Sequence, residues 1–315
     1  MQVDSRIEGV CHLNRVWRVH HKGRLGNRMF QHMIATVMAR KVPGLTICGL
    51  DIPEWGIADT PEGERLLERD FSKCLRVSGH RFDVERLAAG LGNGSIECVE
   101  CDGWACRVEY YGGPEKFRSL FPTPSDLEGL GFSDNKLLVN VRAAGIVSGA
   151  HPDYIPTPIS LIEHVIKKTG LTPVFMGQLG DDWYTRSLRK TFSDCEFVPS
   201  RTPLHDFETI RQTKNVLVPV STFSWLACWL SQRCANIHMP LLGMFNPIQR
   251  PDVDLVPLQD NRYTFYSFPR VRWDGEKEKL ELIKFTEVGP GSILVRRFLG
   301  RFFSEADRVR RVLVR

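Results

Sequence analysis

At 315 residues the chain is long enough for two domains of ordinary size, each with its own core. Its hydrophobic share of 42% and charged share of 25% are those of a globular protein, and no apolar run nears the roughly 18 residues that span a bilayer. The formal charge of +5 is concentrated in residues 295–315, where Arg296, Arg297, Arg301, Arg308, Arg310, Arg311 and Arg315 stand against Glu305 and Asp307. The first 294 residues are therefore neutral, and a nucleic acid is not an expected partner.

In chain order, a strand over Val16–His20 leads into Gly23-Arg24-Leu25-Gly26-Asn27-Arg28-Met29-Phe30-Gln31, where a helix opens and runs to about Lys41. Met29, Phe30, Met33, Ile34, Val37 and Met38 recur at helical spacing, and Asn27 stands where an N-cap would. Glycines there let backbone approach a ligand, and a helix start favours an anion. The spacing is neither a dinucleotide fingerprint nor a P-loop, and by itself it suits an ordinary strand-to-helix turn equally well. A strand over Leu45–Gly49, a helix over Val84–Ala89 and a β-like segment around Gly92–Tyr111 complete the first half, with Pro122–Asp134 as the connection.

From Lys136 the alternation is regular. Strands at Lys136–Val141, Pro173–Gly177, Glu196–Pro199, Val216–Val220 and Asn236–Met239 are separated by helices. The helices cover Ile159–Thr169, Asp182–Phe192 (capped by Asp181 or Asp182), Pro203–Thr213 and Phe223–Gln232 (capped by Ser221 or Thr222). This spacing predicts a parallel, doubly wound α/β sheet. Two such lobes would face each other across a cleft at the C-terminal ends of their strands.

Nine cysteines are scattered along the chain and suit a reducing compartment, with a cytoplasmic location, peripheral on the membrane's cytoplasmic face as a second possibility. Cys98, Cys101 and Cys106 cluster, but three thiols at this spacing do not make a zinc site, and no metal is expected. Asp181-Asp182 is an adjacent pair rather than a spaced metal holder.

Several motifs resemble those of the family-11 α-1,2-fucosyltransferases. Gly23 to Gln31 is similar to their G-x-x-G-N-x-x-F-Q run, and to the GRFGNQ run of protein O-fucosyltransferases. Ser221-Thr222-Phe223-Ser224-Trp225 resembles their S-T-F-S-W-W motif, with Leu226 for the second Trp. Asp102 to Tyr111 resembles D-G-Y-F-Q-x-x-x-Y-F, with Cys106 or Ala105 where the Gln would be. Asn140-Val141-Arg142-Ala143-Ala144-Gly145 stands where H-x-R-R-x-D is found. There Arg142 matches the first Arg, Asn140 replaces the His, Ala143 replaces the second Arg, and the Asp has no counterpart. His151-Pro152-Asp153-Tyr154-Ile155-Pro156 resembles a bacterial H-P-x-Y-x-P stretch.

The resemblance implies a GT-B type fold of two Rossmann-like lobes: an acceptor-side lobe over 1–125, a nucleotide-sugar lobe over 135–260 and an extension over 261–315. It implies an inverting, metal-independent transfer, with no cofactor beyond GDP-fucose or a related nucleotide sugar as donor. The acceptor would be a glycan or lipid-linked oligosaccharide. Alternatives are a xylosyl or rhamnosyl donor, or a degenerate protein that binds without turnover. Gly23, Arg24, Gly26, Asn27, Asn140, Arg142, Ser221, Thr222, Phe223 and Ser224 would bind the donor. Arg142 would hold the leaving diphosphate, Asn27 would orient the donor, and Asp153, His151 and His20 are candidate bases.

The last expectation is a basic amphipathic helix over 293–315, loosened near Gly300. Ile293, Leu294, Phe298, Leu299, Phe302, Phe303, Val309, Val312 and Leu313 would form its apolar side. It would either lie on an anionic membrane surface or pack back on the first lobe.

Overall fold

A computed structural model describes residues 15–127 and 130–313, with side chains through Ser304. Cys11, Arg315 and the side chains of Glu305, Asp307, Arg308, Val309, Arg310, Arg311, Val312 and Leu313 lie outside the described residues. The first lobe runs β1 (Val16–Val19), α1 (Leu25–Lys41), β2 (Thr46–Cys48), α2 (Pro61–Leu67), β3 (Cys74–Gly79), α3 (Val84–Asn93) and β4 (Cys98–Gly103). Its four strands pair in parallel in the order β2-β1-β4-β3.

The second lobe alternates strictly at first: β5 (Lys136–Val141), α4 (Ile159–Thr169), β6 (Thr172–Gly177), α5 (Trp183–Thr191), β7 (Glu196–Val198), α6 (Pro203–Arg211), β8 (Asn215–Leu217), α7 (Thr222–Leu230) and β9 (Asn236–Leu241). It continues with β10 (Tyr263–Ser267), α8 (Lys277–Leu282) and β11 (Thr286–Val288) before α9 (Pro290–Leu313). The sheet order is β11-β10-β9-β8-β5-β6-β7, parallel throughout except for β11 on β10. Two parallel α/β lobes are thus present, as the strand–helix alternation predicts. The second sheet does not end at residue 260, however. Tyr263–Ser267 is mostly buried and adds a parallel strand beside β9, so the lobe extends to Val288.

Local chemistry explains the helix starts. Asp83, Asp182, Thr202 and Ser221 each accept a hydrogen bond from a first-turn amide of α3, α5, α6 and α7. Asp182, rather than Asp181, is therefore the cap of α5, and Ser221 that of α7. Asn27 corrects the expectation for α1: the helix begins at Leu25 with Arg24 at the cap position, placing Asn27 inside the first turn.

One hydrophobic core runs through both lobes. Phe30 of α1 stacks on Trp225 of α7 with ring centroids 5.7 Å apart, and Trp225 stacks on Trp229 at 5.3 Å. Tyr111 closes on Phe30 and Trp229 from the side. This aromatic column joins α1 of the first lobe to α7 of the second.

Helix α9 corrects a second expectation. It is continuous through Gly300, where a Cβ would meet the Pro247 carbonyl oxygen at 2.0 Å. The glycine permits a close approach and is not a break. The helix packs on the 247–256 segment through Gly300 and part-buried Arg297, whose guanidinium bonds Asp254 at 2.6 Å, and Ile293 is fully buried.

Candidate functional site

Above the aromatic column, the N-terminal ends of α1 and α7 meet. Gly23, at φ +83°, turns the chain out of β1 into α1. A Cβ on Gly26 would lie 2.5 Å from the Phe223 amide nitrogen, so only glycine allows the two helix starts to come so close. Thr222 Oγ donates to Asn27 Oδ1 at 3.0 Å and ties them across the lobes. The opening amides of each helix lack intrahelical partners, and both macrodipoles present their positive ends here. Neither helix has an acidic residue in its first turn.

Two arginines join them. Arg142, on the loop after β5, lies with its guanidinium 4.3 Å from the Tyr154 ring centroid and donates to the Val220 carbonyl at 3.0 Å. Burial lowers its pKa from the usual arginine value, and the nearby positive charge of Arg24 lowers it further against an opposing effect of Tyr154. Arg24 is held by Gln178, whose amide, oriented to satisfy both ends, accepts from Arg24 Nη1 at 2.9 Å and donates to the Ala144 carbonyl at 3.3 Å. Among the described residues neither arginine has a carboxylate within ion-pairing distance. Arg28, from the same glycine run, is instead paired to Glu54 at 3.2 Å and to Asp51 at 3.8 Å, away from the site.

Other expected residues serve as supports. Asn140 is buried with both ends of its amide engaged: Oδ1 accepts from Ser224 Oγ at 2.6 Å, and Nδ2 donates to the Met176 carbonyl at 3.0 Å. Asn140 and Ser224 therefore form a strut between β5, β6 and α7 behind the site, and neither is turned toward a ligand. Phe223 offers its backbone, while its ring packs edge-on against Phe207. Asp153 is not brought to the arginines as a free base. Its carboxylate pairs with Arg250 at 2.9 Å and accepts from Gln249 at 2.8 Å. His151 accepts from the Asp153 amide at 3.3 Å, and His20 lies 3.8 Å from Glu100.

The segment after β4 buttresses the glycine loop. Asp102 pairs with Lys22 and with Arg76, and Trp104 Nε1 donates to the Lys22 carbonyl at 3.0 Å. Gln31 donates to the carbonyls of His20 and Gly103, so the last residue of the glycine run fixes the loop to β4. Cys98 and Cys101, three apart on β4, fall in different core clusters, and burial raises the Cys101 thiol to about 12. They share no metal-binding face. Tyr154 and Gln178 were not singled out in the sequence as site residues. The signal for Gln178 is its place just beyond a parallel strand's C-terminal end.

No protein-family model and no curated protein matches the chain. Among solved structures the chain is similar to a mutant of Arabidopsis thaliana FUT1 in complex with GDP, at 13% identity and a TM-score of 0.45, over 74% of this chain and 71% of that one. It is also similar to E. coli heptosyltransferase WaaC with ADP, at 13% identity and a TM-score of 0.37, over 72% and 87% of the two chains.

Proposed function

We propose that the chain is a glycosyltransferase that binds the diphosphate of a nucleotide sugar between the starts of α1 and α7. The observation that carries this reading is the convergence of two helix N-termini with Arg24 and Arg142, without a compensating carboxylate among the described residues. Such a cluster repels itself unless a dianion sits in it. The motif resemblance supports GDP-β-L-fucose as the donor, and hence an α-linked product formed with inversion.

In this reading the acceptor oxygen bonds to C1 as the C1–O bond to the β-phosphate breaks, and the electron pair leaves on the diphosphate. Arg142, aimed by Tyr154, and the free amides at Thr222 and Phe223 stabilise that charge. The charge supplied by the two arginines and helix ends is what a divalent cation would otherwise contribute. With Asp153 engaged by Arg250, a dissociative path in which the hydroxyl proton is lost late, to solvent water, needs no side-chain base. The acceptor is read as a glycan or lipid-linked oligosaccharide.

A second reading, binding without turnover, is favoured by one observation. The place of the second motif arginine is the fully buried Ala143, and Asn140 is consumed as a strut. A panel of nucleotide sugars separates the readings by thermal shift and release of the nucleoside diphosphate. GDP-fucose should stabilise the protein and be turned over in the presence of EDTA. Stabilisation without turnover favours the binder, a response only to xylosyl or rhamnosyl donors changes the sugar, and no response to any diphosphate overturns the site.

A further inference from the structure

We infer that α9 is a rigid interfacial helix that docks the protein on an anionic lipid surface through Leu294, Val295, Phe298 and Phe302. Residues 294, 298 and 302 are four apart and share one helix face, with 295 beside them. Phe298 is 69% exposed, Val295 59%, Phe302 58% and Leu294 55%. These are among the most exposed large apolar side chains described, and they lie on one helix. No described helix is long and apolar enough to cross a membrane, so the apolar stripe fits a position in the interface.

The opposite face explains why the helix presents this stripe in a fixed orientation. Ile293 is fully buried, Arg297 bonds Asp254 and the Val256 carbonyl, and Gly300 sits against the Pro247 backbone. Arg301, half exposed, lies at the border of the stripe, seven residues after Leu294 and three after Phe298, and only comes within 4.0 Å of Glu109 of the first lobe. The stripe is thus held outward by contacts that use the helix's other side.

Charge selects the occupant. Residues 295–315 carry the whole net +5 of a chain otherwise neutral, so the segment that bears the stripe is basic in sequence. A second copy docking by the same stripe would bring two such helices together and be repelled. An anionic lipid surface complements both the apolar face and the segment's excess of positive charge, and an arginine near such a surface contributes about 1 kcal/mol. The inference does not depend on the donor reading. If that reading holds, the helix brings the site to a lipid-linked acceptor.

The test is sedimentation of the full chain with phosphatidylcholine vesicles, with and without phosphatidylglycerol. Binding is expected to the anionic vesicles alone and to weaken with salt. Phe298→Ser with Phe302→Ser should reduce it by at least about tenfold, and Arg301→Gln by about fivefold, since burial of apolar groups and nearby cations drive such binding. Both changes are at exposed positions, so the melting temperature and nucleotide response should stay those of the parent. Should the double variant fail to fold, Phe298→Trp gives an independent readout, a blue-shifted emission on adding anionic vesicles. Equal binding to both vesicle types, no binding, or an unshifted tryptophan overturns the inference. Conversion of a parental dimer to a monomer by the double variant would assign the stripe to a second copy and overturn it as well.

Discussion

The same two helices build two opposite environments a turn apart. At the base of the interface, Phe30 and Trp225 stack inside a core that excludes water. At the mouth, the starts of α1 and α7 press their positive ends together beside Arg24 and Arg142. The base is fully satisfied and the mouth is not. The contrast shows that stability and function are separated along the helix axis: the aromatic column supplies the cohesion that lets an electrostatically unfavourable mouth persist and stay preorganised for an anion.

That separation can be broken from either end. Trp225→Ala should have the largest effect, about 3–5 kcal/mol of lost stability from an emptied aromatic site, read by urea unfolding. A loss below about 1 kcal/mol would mean the column does not hold the lobes. Arg142→Ala should do the reverse, lowering turnover by about a hundredfold or more while the melting temperature barely changes. Arg142→Lys should recover little, because an ammonium lacks the planar fork. Arg28→Ala, in the same glycine run but paired to Glu54, is the control and should leave nucleotide affinity near that of the parent. Equal losses from the Arg28 and Arg142 variants would dissolve the distinction.

Acid should act on the buried regions first. Burial holds His32, His80 and His238 neutral, each with its pKa lowered to about 4. The unfolded chain takes up these protons near the ordinary histidine value, so stability is complete above about pH 6.5 and is lost as pH falls toward 4. Unfolding midpoints measured across that window should fall steadily, and a flat profile would contradict the burial of these rings. Asp153→Asn breaks the ion pair with Arg250 and should lower the melting temperature by a few degrees, leaving the pH profile of transfer unchanged. A lost acidic limb in that profile would restore Asp153 as a base. The smallest effect belongs to Thr222→Val, which removes one inter-lobe hydrogen bond and should cost about 1 kcal/mol.

The second lobe was legible because parallel strands buried on both faces read as short apolar runs between capped helices, and Lys136–Val141 and Ile159–Thr169 stand where their patterns place them. The first lobe was harder. β3 is an edge strand with three consecutive exposed residues at its start, so it carries no alternation, and α2 is a short charged helix begun by Thr60 and Pro61. At the site, Arg142, Gly26 and Thr222 were visible as motif residues. The commitment of Asn140 to Ser224, and of Asp153 to Arg250, depends on partners 84 and 97 positions away, beyond any local pattern. Gly300 misled for a related reason: propensity marks it as a weak point, whereas a neighbouring carbonyl requires it.

The hydrogen bond between Asn27 and Thr222 spans 195 positions of chain. A contact of such long range closes only after both sheets have formed, because its loop entropy has to be met by local structure first. During refolding, helical content and the separate lobes should therefore return before nucleotide affinity does. In the interval the chain would be folded lobe by lobe yet unable to capture its ligand.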